Sequence, residues 1–298
     1  MAFDSVVILG GLGQAGGLVA GCFTEAGTQV TYVDRRPRPA AVPADRYLQA
    51  DVTQPGTNLI RKVAAADCVV VCLPEEAALA AASHILGAIA DGALWVDTLS
   101  VKSGICRVLR DCKRNIEIVS INPMFAPALG WRGHPVAVIE VSSGPKSRAF
   151  MEIVESLGAA VEIVTAETHD SLTATIQVAT HAAILSFGAL LLDLDYDVEK
   201  GLALATPPHR LLLALLSRVV SANPDVYWDI QHFHPEGVRV RQQMARTVAC
   251  LDAAAAADSP AQFQQLFGQL GALLSAKKDS LGALSERIVT VTSIGRDT

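Results

Sequence analysis

The chain has 298 residues, 51% of them apolar, and sets 24 basic against 30 acidic side chains for a net charge of −6. That is ample material for a sizeable core, and two domains of ordinary size are expected in place of one large one. A mild acidity without long single-sign runs excludes the electrostatic footprint of a nucleic-acid binder and leaves a small molecule as the expected partner.

Six cysteines (Cys22, Cys68, Cys72, Cys106, Cys112, Cys250) form no CxxC pair, and no secretory leader is expected. They are expected to be reduced, mostly buried thiols of a cytoplasmic protein. The most apolar run, Ala182 to Leu192, falls short of the ~20 residues of a membrane span and reads as a buried helix, so no membrane partner is expected.

In chain order, β-rich runs occur at Val6–Leu9, Gln29–Asp34, Cys68–Leu73, Leu94–Thr98, Ile116–Ile121, Val136–Val141 and Val161–Val164, with helical patterns between them. That alternation predicts a mostly parallel sheet covered by helices. After about Thr165 the strands stop. Ala- and Leu-rich segments follow, broken at Thr206-Pro207-Pro208, Asn223-Pro224, Pro235 and Asp258-Ser259-Pro260, where proline and capping residues end or start helices. The expected organisation is an α/β dinucleotide-binding (Rossmann) domain over 1–165 and an all-α domain over 166–298, without tandem repeats.

Gly11-Leu12-Gly13-Gln14-Ala15-Gly16 is a GxGxxG placed directly after the first strand and opening a helix. Glycines there give the tight turn, let backbone amides approach a pyrophosphate and allow the helix to pack on the strand. The helix N-terminus then faces the phosphates with its partial positive charge. Asp34 ends the second strand, where a carboxylate accepts the hydroxyls of an adenosine ribose and repels a 2′-phosphate. NAD is therefore the expected cofactor, although Arg35 and Arg36 follow at once and either could bind that phosphate or stack on adenine. Leu73-Pro74, closing the run Cys68–Leu73, is either the point where the sheet passes beneath the cofactor or an ordinary strand end.

Later motifs are more specific. Asp97-Thr98-Leu99-Ser100-Val101-Lys102, Ser120-Ile121-Asn122-Pro123-Met124-Phe125-Ala126-Pro127, His169-Asp170, Ile176-Gln177, His181, Pro208-His209-Arg210, Arg218 and Asn223-Pro224-Asp225-Val226-Tyr227 follow one another in the order and spacing of prephenate dehydrogenases. The chain resembles that family from Val6 to about Ile230, and the expectation is a bare dehydrogenase core without chorismate mutase or regulatory segments. The resemblance implies an NAD-dependent oxidative decarboxylation of a cyclohexadienyl dicarboxylate: hydride leaves C4, carbon dioxide leaves C1 and the ring becomes aromatic.

One position departs from the pattern. Asn122 stands where the family carries the histidine that takes the proton of the 4-hydroxyl, and an amide has no useful basicity near neutral pH. A 4-amino substituent changes the requirement, because the lone pair of a neutral amine can expel hydride and leave an iminium that needs no concerted proton loss. The expected substrate is 4-amino-4-deoxyprephenate, giving 4-aminophenylpyruvate, as in antibiotic pathways that build 4-aminophenylalanine. The alternatives are prephenate itself, with another base such as His181 compensating, and a non-catalytic NAD-binding regulator.

The remaining expected site residues are carried by the resemblance. Arg218 matches the family's carboxylate-binding arginine, whose planar fork suits a bidentate grip. Arg210, about 80° away around an ideal helix, is either a substrate contact or a structural support. Ser100 matches the serine that hydrogen-bonds the C4 substituent or its catalytic partner, unless it merely caps the next helix. Lys102 reads as a phosphate-side cation or as ordinary surface. Gln177 and His181, four apart, would share one helix face toward the cleft, and Tyr227 would help wall the pocket. His232, His234 and Glu236 lack a convincing ligand set, so no metal is expected. Ala253–Ala257 and Phe263–Leu274 read as helix packing, with a homodimer through the helical domain covering the apolar surface.

Overall fold

A computed structural model describes residues 3–25 and 27–294 and divides the chain into two compact units, Met1–Thr173 and Ala174–Thr298. In the first, eight strands form one sheet: β1 (Ser5–Leu9), β2 (Gln29–Asp34), β3 (Tyr47–Gln49), β4 (Cys68–Val71), β5 (Leu94–Asp97), β6 (Glu117–Pro123), β7 (Pro135–Ser142) and β8 (Ala160–Ile163). Their order is β3-β2-β1-β4-β5-β6-β7-β8, and every neighbouring pair is parallel except β6 with β7. The order turns back beside β1, the topological switch point at which open α/β sheets bind ligands.

The sequence of β1 explains its place in the middle. Val6, Val7, Ile8 and Leu9 are all essentially inaccessible, as a strand covered on both faces requires. Alternate residues feed two separate cores. Val7, Leu9, Val69, Val71 and Trp95 pack on one face, beneath α2 (Thr57–Ala64), α3 (Glu75–Ala88) and α4 (Ser103–Arg110). Val6, Ile8, Val70, Leu94 and Val96 pack on the other, beneath α1 (Gln14–Glu25) and α5 (Pro145–Ser156). Cys22, Cys68 and Cys106 are buried in these layers, and burial pushes the Cys22 thiol up to about 12.

The seven expected strands are present, and β3 is an eighth: a three-residue edge strand paired through Tyr32 with Tyr47. It is too short to show a period in the sequence. A last helix of this unit, α6 (Ala166–Thr173), is fastened to the start of α4 by Asp170. The division therefore falls between Thr173 and Ala174, eight residues beyond the expected boundary.

The second unit is all helical: a π-helical turn (Ala174–Ala179), then α7 (Thr180–Asp193), α8 (Val198–Leu204), α9 (Pro207–Val220), α10 (Pro224–Phe233), α11 (Gly237–Ala256), α12 (Ala261–Leu274) and α13 (Lys278–Ile294). The expected proline breaks are where helices begin. Thr206 and Asn223 occupy N-cap positions with proline behind them, and the Asn223 side chain accepts the Asp225 amide at 3.1 Å.

One expectation fails on α7. Only Ala182, Ile184 and Gly188 are buried there, while Leu190 and Leu192 are exposed, so it is no core helix of this chain by itself. Ala182–Leu192 is too short to span a membrane, as expected; the longer helical run Ala166–Asp193 is long and apolar enough by length and composition, as core helices of soluble proteins also are.

Candidate active site

The glycine loop follows β1 at the switch point. Gly10, which the GxGxxG reading leaves out, is its tightest position: φ is +79°, and an added Cβ would lie 2.1 Å from the Cys72 carbonyl oxygen and 3.2 Å from Leu73 Cδ2. A Cβ on Gly16 would lie 2.4 Å from the Gly10 carbonyl oxygen, so α1 can approach the loop only with glycine there. The doubled glycine ahead of Leu12 was the sequence signal. Leu73 packs against this loop, and Pro74 stands at the N-cap of α3.

α1 starts at Gln14 with no acidic residue in its first turn, leaving the free backbone N–H groups of that turn, Ala15 included, beside the loop formed by Gly11, Leu12 and Gly13. At the end of β2, Asp34 accepts the Leu12 amide at 3.1 Å. Arg36, not Arg35, is the arginine that meets it: Nε reaches Oδ1 at 3.0 Å and Nη2 reaches Oδ2 at 2.9 Å. Burial pushes the Asp34 carboxyl up, but the Arg36 side chain and the Arg36 and Leu12 amides outweigh it and hold it below the usual range. Arg35 is exposed and offers its carbonyl to Gln49. These features fit the phosphates and ribose of a dinucleotide.

At the ends of β5 and β6 lies a buried polar cluster. Lys102 is fully buried, neither a phosphate-side cation nor surface: Nζ donates to Asp97 Oδ1 at 3.0 Å and to the Ile121 carbonyl at 2.7 Å. Ser120 Oγ donates to the same Asp97 oxygen at 2.7 Å, and Trp95 Nε1 to the other at 3.3 Å. This network clamps β6 at Ser120 and Ile121, the two residues that precede Asn122.

Asn122 is 2% exposed and meets His169 of α6, with Nδ2 3.0 Å from the imidazole Nε2. His169 Nδ1 in turn lies 2.7 Å from Asp170 Oδ1. Asp170 also accepts the Lys102 and Ser103 amides at 3.0 and 2.8 Å and the Ser103 hydroxyl. It thereby caps α4 from a distant part of the chain. Ser100, two residues before the cap position, does not do so; it is half-buried and makes no side-chain hydrogen bond among the described residues. Burial pushes Asp170 up, yet His169, Ser103 and the two amides hold its carboxyl down at about 2. For His169, burial is the largest influence and lowers its pKa, with Lys102 acting the same way and Asp170 and Asp97 opposing.

In the sequence, His169 stands in a His-Asp motif that assigns it no role. Its meeting with Asn122 spans 47 residues and has no local signal.

In the second unit, His181 and Tyr227 meet edge to face with ring centroids 4.8 Å apart. Burial lowers the His181 pKa, and its Nδ1 is buried without a hydrogen-bond partner among the described residues. Gln177 lies in the π-helical turn, so the ideal four-residue phase assumed between it and His181 does not hold across that turn. Arg218, in the last turn of α9, is exposed and makes no ion pair among the described residues, which leaves its fork available. Arg210 donates through Nη2 to the Leu202 carbonyl at 2.6 Å, tying α9 to α8. The structure thus gives Arg210 a supporting bond. His232 stacks on Trp228 at 4.6 Å.

A glycine-loop α/β unit followed by a separate helical unit defines the class of two-unit dinucleotide-dependent oxidoreductases. Residues 19–136 match the family described as prephenate dehydrogenase, nucleotide-binding domain, and residues 165–269 match prephenate dehydrogenase, dimerization domain. The chain belongs to the prephenate dehydrogenase family. It is 39% identical over 288 residues, 97% of either chain, to a 4-amino-4-deoxyprephenate dehydrogenase of Streptomyces pristinaespiralis. It is 26% identical over 183 residues, 60% of this chain and 41% of the other, to a probable arogenate/prephenate dehydrogenase of Methanocaldococcus jannaschii. In fold it is similar to prephenate dehydrogenase of Aquifex aeolicus, solved with hydroxyphenyl propionate and NAD+, with a TM-score of 0.67 at 17% identity over 94% of this chain and 98% of that one.

Proposed function

We propose that the chain catalyses the NAD-dependent oxidative decarboxylation of 4-amino-4-deoxyprephenate to 4-aminophenylpyruvate, a step toward a 4-aminophenylalanine-type antibiotic precursor. The observation that carries this reading is Asn122: a buried carboxamide, held at the end of β6, at the position of the family's catalytic base. The relative from Streptomyces pristinaespiralis, matched over nearly its whole length, supports it.

Bound NAD supplies the hydride acceptor. Gly10, Gly11, Gly13 and Gly16 keep the loop low enough for a pyrophosphate, and Asp34 takes the ribose hydroxyls. The Asp97–Lys102–Ser120 cluster fixes the strand, so Asn122 needs no reorganisation as charge develops at C4. An amino nitrogen at C4 stabilises that charge as an iminium and leaves no proton that must be taken in the same step. A hydroxyl at C4 would need a base, and Asn122 is none. By the resemblance we assign Arg218 to a substrate carboxylate, Gln177, His181 and Tyr227 to substrate binding, and Ser100 to a hydrogen bond with the C4 substituent. The helical unit is assigned to homodimerisation, which would cover the apolar surface of α7.

Paired steady-state assays of NADH formation decide. The native enzyme is expected to turn over 4-amino-4-deoxyprephenate faster than prephenate, and Asn122→His is expected to move the ratio toward prephenate. Faster native turnover of prephenate overturns the reading.

A further inference from the structure

The amide of Asn122 has two chemically different ends, and only one can face the substrate. Among the described residues its sole side-chain partner is His169, through Nδ2, and nothing donates to Oδ1. An amide N–H can only donate, so the His169 Nε2 it meets at 3.0 Å must carry a lone pair. The ring proton then belongs on Nδ1, where Asp170 Oδ1 accepts it at 2.7 Å. Asp170 is itself held by the Lys102 and Ser103 amides at the start of α4, so its acceptor oxygens cannot swing away.

We infer that His169 is the positioning residue of the reaction: locked by Asp170 as the Nδ1–H tautomer, it holds the NH2 of Asn122 toward the imidazole and turns Oδ1 to the C4 amino group of the substrate. This rests on the amino-substrate reading and deepens it. An oxygen at C4 accepts an N–H of the amine and leaves the nitrogen lone pair free to push electrons into the ring. A flipped amide would donate into that same lone pair and oppose its release. The orientation is thus a condition of turnover. Burial favours the neutral ring that the arrangement needs, and of the charged groups facing it Lys102 acts in the same sense while Asp170 and Asp97 act against it.

The test has a spectroscopic and a kinetic arm. In native protein carrying 15N-labelled histidine, without substrate, the His169 signals are identified by their loss in His169→Gln. They are expected to show protonated Nδ1 and unprotonated Nε2 at neutral pH. In His169→Gln, kcat on the amino substrate is expected to fall about tenfold or more, while NAD affinity measured by titration stays at the native value and KM changes less than kcat. An Nε2-protonated or doubly protonated ring at neutral pH overturns the inference, and so does a native kcat in the variant. Should His169→Gln not fold, the tautomer is still read in native protein, with Asn122→Ala altering the His169 signals for assignment. Failure of the substrate reading is seen separately, as faster native turnover of prephenate.

Discussion

A lysine whose side chain is wholly inaccessible must be accounted for by its partners. Lys102 is matched by one carboxylate, Asp97, and one carbonyl, that of Ile121, at 3.0 and 2.7 Å. Removing one member of such a pair leaves an uncompensated charge out of water, which typically costs about 3–5 kcal/mol. Lys102→Met is therefore expected to lower the thermal unfolding midpoint of the protein markedly, and differential scanning calorimetry showing a native midpoint would refute the pairing. None of this was legible beforehand. The sequence reading weighed Lys102 as phosphate cation or surface because residue type does not reveal burial. Asn122 could be singled out in the sequence, since it stands in an unbroken local motif, Ser120 to Pro127. His169 was visible only as part of a motif, because its contact with Asn122 joins two elements 47 residues apart.

Among elements, the β1–α1 junction shows how narrowly glycine is needed. Gly16 and Gly17 are adjacent, yet a Cβ on Gly16 would strike the Gly10 carbonyl at 2.4 Å, while one on Gly17 meets nothing within 4 Å. Gly16→Ala is expected to push α1 off the loop and abolish measurable NAD binding by fluorescence titration. Gly17→Ala, inside the helix, is expected to bind NAD as before and to gain about 0.5–1 kcal/mol of stability from the better helix former. Equal NAD affinity in the two variants would contradict the close approach. Long strands and proline-marked helix starts were readable because a buried parallel strand needs a continuous apolar run and a helix start tolerates proline. The three-residue β3 and the π-helical turn at Ala174–Ala179 were not. Each depends on pairing or on a local slip of the hydrogen-bond ladder, neither of which changes composition.

For the whole molecule, the second unit leaves Leu190, Leu192, Leu204, Phe267 and Leu273 exposed, more apolar surface than a lone soluble unit usually shows. Since residues 165–269 match a dimerization domain, sedimentation equilibrium at micromolar concentration is expected to give twice the chain mass. A monomer there would contradict the assignment. Composition made the apolar helical half legible, but α7 was read as core because an apolar run in sequence does not reveal whether the chain itself buries it. A last consequence comes from where Asn122, His169 and Asp170 lie: all three precede residue 174. On the proposed reading, chemical choice at the reacting carbon is inherited with the nucleotide-binding half alone, and descendants would switch it by editing that half while the carboxylate grip assigned to Arg218 evolves on its own schedule.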